Sequence, residues 1–285
     1  MATPPEPEPK RPMLHTSDHD PAKSPARIAS LIEGEIIPRL LMAHRRDFSE
    51  IDTRAAPGPS HVTKRDIALL AELALDQEAL TLVNYVNGIV RRGVSPEAVL
   101  VNYLGPTACL LGEQWENDDI NFIDVTMAVW RLQEVVHDIA ARIPAAAPSD
   151  GALRSLFSVV PGDNHGFGTI VVDDCFRRHG WESRCMTLTD EPQLLGVVAE
   201  ERFDVIGLTV SCDDYLADLP RLIGRVRAAS ANPHVVIMLG GRLFNSSSGL
   251  AVQLGADLSA PDARAAVDLA EALVREVAVQ SSVVV

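Results

Sequence analysis

Long hydrophobic runs are missing from this 285-residue chain: no stretch approaches the roughly 18 apolar residues that a membrane-spanning helix needs. The opening MATPPEPEPKRP lacks the apolar centre of a secretory signal, so export is not expected and the cytoplasm is the expected compartment. Cysteine is scarce. The four present, Cys109, Cys175, Cys185 and Cys212, form no C-x-x-C pair, which argues against a disulfide framework or a zinc ribbon, and they read as buried free thiols. Basic clusters are scarce too: residues 1–65 hold ten Lys/Arg against nine Asp/Glu, and the remainder fifteen against thirty, for a net charge of −14. Such an acidic body repels phosphate backbones, and residues 26–60 show no helix-turn-helix pattern, so direct nucleic-acid binding is not expected. There is no G-x-G-x-x-G, no Walker loop, no nucleophile beside a base and no paired acids in a plausible pocket. A protein without its own catalytic constellation is expected.

What remains is the profile of a globular protein of two domains. Residues 1–25 contain seven prolines and read as a disordered tail. Residues 26–61 read as an amphipathic helix, with Ile28, Leu31, Ile32, Ile36 and Leu40 on one face, followed by a linker. Thr63-x-x-Asp66 is a capping-box pattern, and Ser95-Pro96 marks another helix start. Helices are expected over Lys64–Leu75, Gln77–Arg92, Pro96–Glu113 and Phe122–Ile143, making residues 62–145 a helical cap. In the last of these Phe122 and Trp130, eight residues apart, share a face and read as cap core.

After the linker Pro144–Ala152 the period changes. Apolar runs at Leu156–Val160, Arg184–Leu188, Val205–Val210, Val235–Leu239 and Ala256–Ser259 alternate with helical stretches, so residues 153–279 are expected to form a flavodoxin-like, doubly wound, five-stranded parallel sheet. In such sheets ligands bind beyond the C-terminal strand ends.

That rule gives meaning to VVPGDNHGFGTIVVDDCFRRHG, Val159–Gly180, where Asp163-x-His165-x-x-Gly168 follows the first strand. An acid two residues before a histidine fits a metal ligand and its orienting partner, the carboxylate holding one ring nitrogen and freeing the other. Ser211 ends the third strand and Gly240-Gly241 the fourth, so all three features converge on one sheet edge.

Asp-x-His-x-x-Gly, then Ser, then Gly-Gly at these spacings resembles cobalamin-binding domains that hold the cofactor base-off and His-on. The resemblance implies that His165 is the lower axial cobalt ligand and Asp163 its hydrogen-bonding partner. It implies that Gly166 and Gly168 belong to the cofactor turn, Gly168 letting the first helix approach. Ser211 would contact the displaced dimethylbenzimidazole, and Gly240 and Gly241 would leave room for the nucleotide tail. Ser211-Cys212-Asp213 departs from the usual Ser-x-Leu. The helical region resembles the four-helix cap of the same family, with Trp115 near the upper corrin face. Adenosylcobalamin photoreceptors of the CarH type carry a Glu-His pair ten and eleven residues after that tryptophan; here Val125 and Thr126 stand there. The chain instead resembles the AerR/PpaA group, cobalamin-binding antirepressors of photosynthesis genes in purple bacteria.

By that resemblance the protein is a light- or redox-responsive transcriptional regulator and photoreceptor that loads hydroxocobalamin or adenosylcobalamin and acts through a CrtJ/PpsR-type repressor. Thr126 cannot supply the upper ligand; the histidines to consider are His15 and His19 on the tail and His137 on the cap helix, and a tail histidine, His15 or His19, is the expected upper ligand. The competing readings are a corrinoid shuttle for methyl transfer and a domain that carries haem or no cofactor.

Overall fold

A computed structural model describes residues 62–245 and 248–283. The chain divides into units 1–53 and 54–285, and everything below lies within the second. The tail, the amphipathic segment, His15 and His19 fall outside the described residues.

The cap begins at α1 (Lys64–Asp76), which starts at Thr63 because the Thr63 hydroxyl accepts from the Asp66 N–H while the Asp66 carboxylate accepts from the Thr63 N–H. Helix α2 (Ala79–Arg91) follows. The third predicted helix is one rod of three parts: α3 (Pro96–Val99), a π-helical turn (Leu100–Leu104) and α4 (Gly105–Glu116). Pro106 accounts for the widened turn, since proline offers no N–H to the ladder and its ring crowds the carbonyl four residues back. Helix α5 (Phe122–Arg142) completes the cap, with Asn121 accepting from the Ile123 and Asp124 N–H groups at its start. Leu70, Leu82, Val86, Leu104, Leu111 and Leu132 interlock in the middle, all fully buried.

Beyond residue 153 the chain alternates β1 (Arg154–Val159), α6 (Phe167–Arg178), β2 (Glu182–Met186), α7 (Glu191–Glu200), β3 (Val205–Thr209), α8 (Leu219–Ala229), β4 (Val236–Gly240), the short α9 (Arg242–Asn245) and α10 (Ser248–Gln253), β5 (Leu258–Ser259) and α11 (Ala263–Val283). All strand pairs are parallel and the order is β2-β1-β3-β4-β5. This is the expected flavodoxin-like sheet. Alternate residues of each strand face opposite layers. Phe157, Val205, Val236 and Met238 pack under α6 and α11, whereas Leu156, Ile206, Leu208 and Ile237 pack under α7 and α8. Phe157 lies so close to β3 that a Cβ at Gly207 would stand 2.4 Å from its ring.

Polar contacts join the cap to the α/β part. Arg178 donates to the Ile143 carbonyl at 3.0 Å, Arg264 pairs with Glu97 at 3.0 Å, and Arg242 pairs with Glu116 at 2.7 Å.

Two expectations are corrected here. Of the four cysteines only Cys175 is buried: Cys109 and Cys212 are exposed and Cys185 is half-buried. Cys109 sits on α4 away from its buried Thr107 and Leu111, and Cys212 lies in the loop after β3. Burial pushes the Cys175 thiol up to about 12, which keeps it protonated and inert. Phe122 is not core either. It is 68% exposed, because the stripe of α5 that faces the bundle is Ala128, Leu132, Val135 and Ile139; Trp130 is half-buried.

Candidate functional site

The turn after β1 is built around one carboxylate. Asp163 is 1% exposed, and its oxygens tie its own turn to the end of β3. Oδ1 accepts from the His165 backbone N–H at 2.9 Å and lies 2.7 Å from His165 Nδ1, while Oδ2 accepts from the Ser211 N–H beyond β3 at 2.9 Å. Burial pushes this carboxyl up, but the bonds from His165 and Ser211 outweigh it and hold it at about 2 against an ordinary 3.8. An ionised acid can only accept, so the proton of the Nδ1 contact belongs to the ring, and the neutral imidazole keeps its lone pair on Nε2. The His165 side chain is 70% exposed, so that nitrogen is open to a ligand.

The charge states have testable signs. A depressed Asp163 value means that its contribution to stability is complete above about 3.8 and is lost as pH falls toward about 2. Carbon-13 titration of the Asp163 carboxyl is expected to centre near 2, and Asp163→Asn to remove that part of the acid sensitivity. His165 shifts the other way: the bond to Asp163 raises its value, with burial opposing. Protonation of Nε2 therefore competes with a Lewis acid, and capture at this nitrogen weakens as pH falls through the raised value.

Around this pair the edge is open. A Cβ built on Gly168 or Gly240 would meet nothing within 4 Å, and the Ser211 Oγ is buried without a hydrogen-bond partner. Among the described residues no three His, Cys, Asp or Glu side chains cluster as a metal site. A metal bound at His165 must therefore bring most of its ligands itself, as a macrocycle does. The residues fit such a group: one exposed nitrogen, a flat glycine-lined floor and an orphaned hydroxyl. Gly240→Leu is expected to fill the floor and abolish retention of a large ring while changing stability by about 0.5 kcal/mol or less. Equilibrium dialysis beside a urea melt separates the two effects.

Two glycine roles need correction. Gly168 faces open space and does not bring α6 close; the tight approach belongs to Gly166, where a Cβ would stand 2.8 Å from Thr187 Cβ. Gly241 does not leave room: its φ is 116° and a Cβ would stand 2.1 Å from the Val210 carbonyl oxygen, so it closes the backbone against β3. Trp115 is 43% exposed at the end of α4, next to Glu116, whose pairing with Arg242 brings this end of the cap to the residue after Gly241. No spacing rule announces that pair. Thr169 was also missed: its hydroxyl bonds Thr209 Oγ1 at 3.0 Å and ties the start of α6 to the end of β3.

The comparisons agree with the geometry. Residues 153–269, the part of the chain that follows the helical cap, match the B12 binding domain family. A monomethylamine corrinoid protein of Methanosarcina barkeri superposes with a TM-score of 0.60 at 16% identity, covering 73% of this chain and 98% of its own, which establishes the shared fold. An uncharacterized 20.5 kDa protein of the bchF-crtJ intergenic region of Rhodobacter capsulatus is 28% identical over 171 residues, 59% of this chain and 88% of that protein.

Proposed function

We propose that the protein is a cobalamin-dependent regulator of photosynthesis genes that responds to light or redox state and acts by binding a CrtJ/PpsR-type repressor in the cytoplasm. The observation that carries the cofactor part is Asp163 holding His165 with Nε2 free. The regulatory part is supported by the relative from the bchF-crtJ region and by the absence of a catalytic constellation in the sequence.

Cobalamin, when bound, would supply cobalt chemistry sensitive to light and reduction. The chain's residues set the stage for it. His165 would offer Nε2 to the cobalt, with Asp163 holding the Nδ1 proton and fixing the ring. The Ser211 hydroxyl would contact the cofactor, and Gly168 and Gly240 would leave room for its bulk. Gly166 packs the turn, and Trp115, exposed at the end of α4, would approach the cofactor from the cap. His15 or His19 would offer a further nitrogen to the cobalt, and His15→Ala with His19→Ala would leave the spectrum of the illuminated holoprotein unchanged only if that assignment is wrong.

Asp163→Asn is expected to weaken cofactor retention about 10- to 100-fold, as losses of ligand-orienting partners do at metal sites, with a parallel change in the visible spectrum. The regulatory reading is tested by titrating the repressor with apo, dark and illuminated protein. Moving a partner equilibrium from 1:99 to 99:1 takes roughly 5.5 kcal/mol of differential affinity, which one coordinate bond made or broken can supply. Equal repressor affinity in all three states contradicts the proposal. A corrinoid shuttle is the second reading, favoured by the shared cap-and-sheet fold of the Methanosarcina protein; methyl transfer to or from the loaded chain, indifferent to light, would establish it instead.

A further inference from the structure

Helix α5 carries two seams on opposite sides, both with the alternating four- and three-residue spacing of helices packed side by side. Ala128, Leu132, Val135 and Ile139 form the one that faces the bundle, and all are at most 2% exposed. Ile123, Met127, Trp130, Glu134 and His137 form the other. It has the pattern of a packed seam and half of it lies open: Ile123 is 70% exposed and Met127 40%.

Helix α2 supplies a wall beside it. Arg131 donates to the Ala74 and Leu75 carbonyls just before α2 starts, and Asn87 near its end donates to Asp138. The two pins make α2 run alongside α5 in the same direction, which sets Leu80 and Val83 level with the stretch from Met127 to Glu134. Leu80 is 46% exposed. The result is an apolar groove with one acid in its floor.

That acid is unanswered. Glu134 is 8% exposed, its Oε1 is buried without a hydrogen-bond partner, and one turn earlier the Trp130 Nε1 is buried and unpartnered as well. Burial, and secondarily the charge of Asp138, push the Glu134 carboxyl up. The nearby cations are committed, Arg131 to carbonyls and Arg142 to Asp138 at 2.7 Å, while Asp76 and Glu78 stand exposed at the end of the groove. An unpaired buried acid is costly, and a cation within reach of it removes the penalty.

We propose that the α2–α5 groove docks an amphipathic helix of a protein partner that carries a lysine or arginine within its apolar seam, the cation pairing with Glu134. The inference rests on the regulatory reading in that it gives the partner a place to bind. A second copy of this chain is the rival occupant, and the oligomeric state distinguishes it.

The test uses full-length apo and cobalamin-loaded protein with a labelled leucine-seamed helical peptide about three heptads long. The peptide bears Lys, norleucine or Glu at its central seam position, and binding is read by fluorescence anisotropy. The lysine peptide is expected to bind saturably, one per chain, about tenfold tighter than the glutamate peptide, the scale of one charge-assisted hydrogen bond. Glu134→Gln should abolish that preference, and Met127→Asp or Leu80→Asp, both at exposed positions, should abolish binding with the circular dichroism and cobalamin spectrum unchanged. No saturable binding, or binding indifferent to these variants, overturns the proposal. So does a dimer in sedimentation that Met127→Asp dissolves, since the groove would then belong to a second copy. A spectrum showing no cofactor sinks the cobalamin reading and leaves the peptide result standing.

Discussion

His165→Ala is expected to leave the protein folded and to cut cobalamin retention by about 100-fold or more, beyond the range seen when only an orienting partner is removed. The fold should survive because the ring is 70% exposed and contributes little packing. Asp163 keeps two backbone donors, the His165 and Ser211 N–H groups, so the buried carboxylate is not stranded by loss of the imidazole. Dialysis of hydroxocobalamin against wild type and variant measures the ratio. Equal retention would mean that the cofactor is held elsewhere, whatever the geometry at the strand ends.

Gly241→Ala should do the reverse and damage the fold. At φ 116° an L side chain is strained, and its Cβ would stand 2.1 Å from the Val210 carbonyl oxygen, a backbone atom that cannot step aside. The same stretch of β3 is tied to β4, since the Val210 N–H donates to Gly240 O at 3.0 Å. Strain and overpacking together place the cost at about 3 kcal/mol or more, a large part of the 5–15 kcal/mol typical of a domain. Denaturant melts of Gly241→Ala beside Gly240→Ala isolate the effect, because a Cβ at Gly240 meets nothing within 4 Å. Similar midpoints for the two variants would show that the backbone relaxes around the added methyl group at little cost.

The elements were legible in the sequence where a local signal exists. Period change after the Pro-rich linker marked the shift from helices to βαβ units, and Thr63 and Ser95 announced their helix starts. The second strand was placed two residues late because β2 is an edge strand with exposed Glu182 and half-buried Ser183, so its apolar signal is confined to its end. The face of α5 was misjudged from one aromatic pair, when the four-three spacing of its smaller residues decides which side is buried. At the site, Asp163, His165 and Ser211 could be drawn together because strand ends converge. Gly168 and Gly241 were assigned each other's kind of work: whether a glycine is needed for space or for backbone depends on neighbours distant in sequence, here Thr187 against Gly166 and Val210 against Gly241. The Arg242–Glu116 pair spans 126 positions between two exposed charges and leaves no pattern to read.

The central claim, that Nε2 of His165 is the lower ligand of a base-off cofactor, is tested most directly by electron paramagnetic resonance of the cob(II)alamin-loaded protein prepared with nitrogen-15 histidine. The account predicts that the axial nitrogen splitting changes from a triplet to a doublet on labelling, and that the doublet is absent in His165→Ala. A triplet that persists in the labelled protein would assign the axial nitrogen to the cofactor's own base and contradict the account.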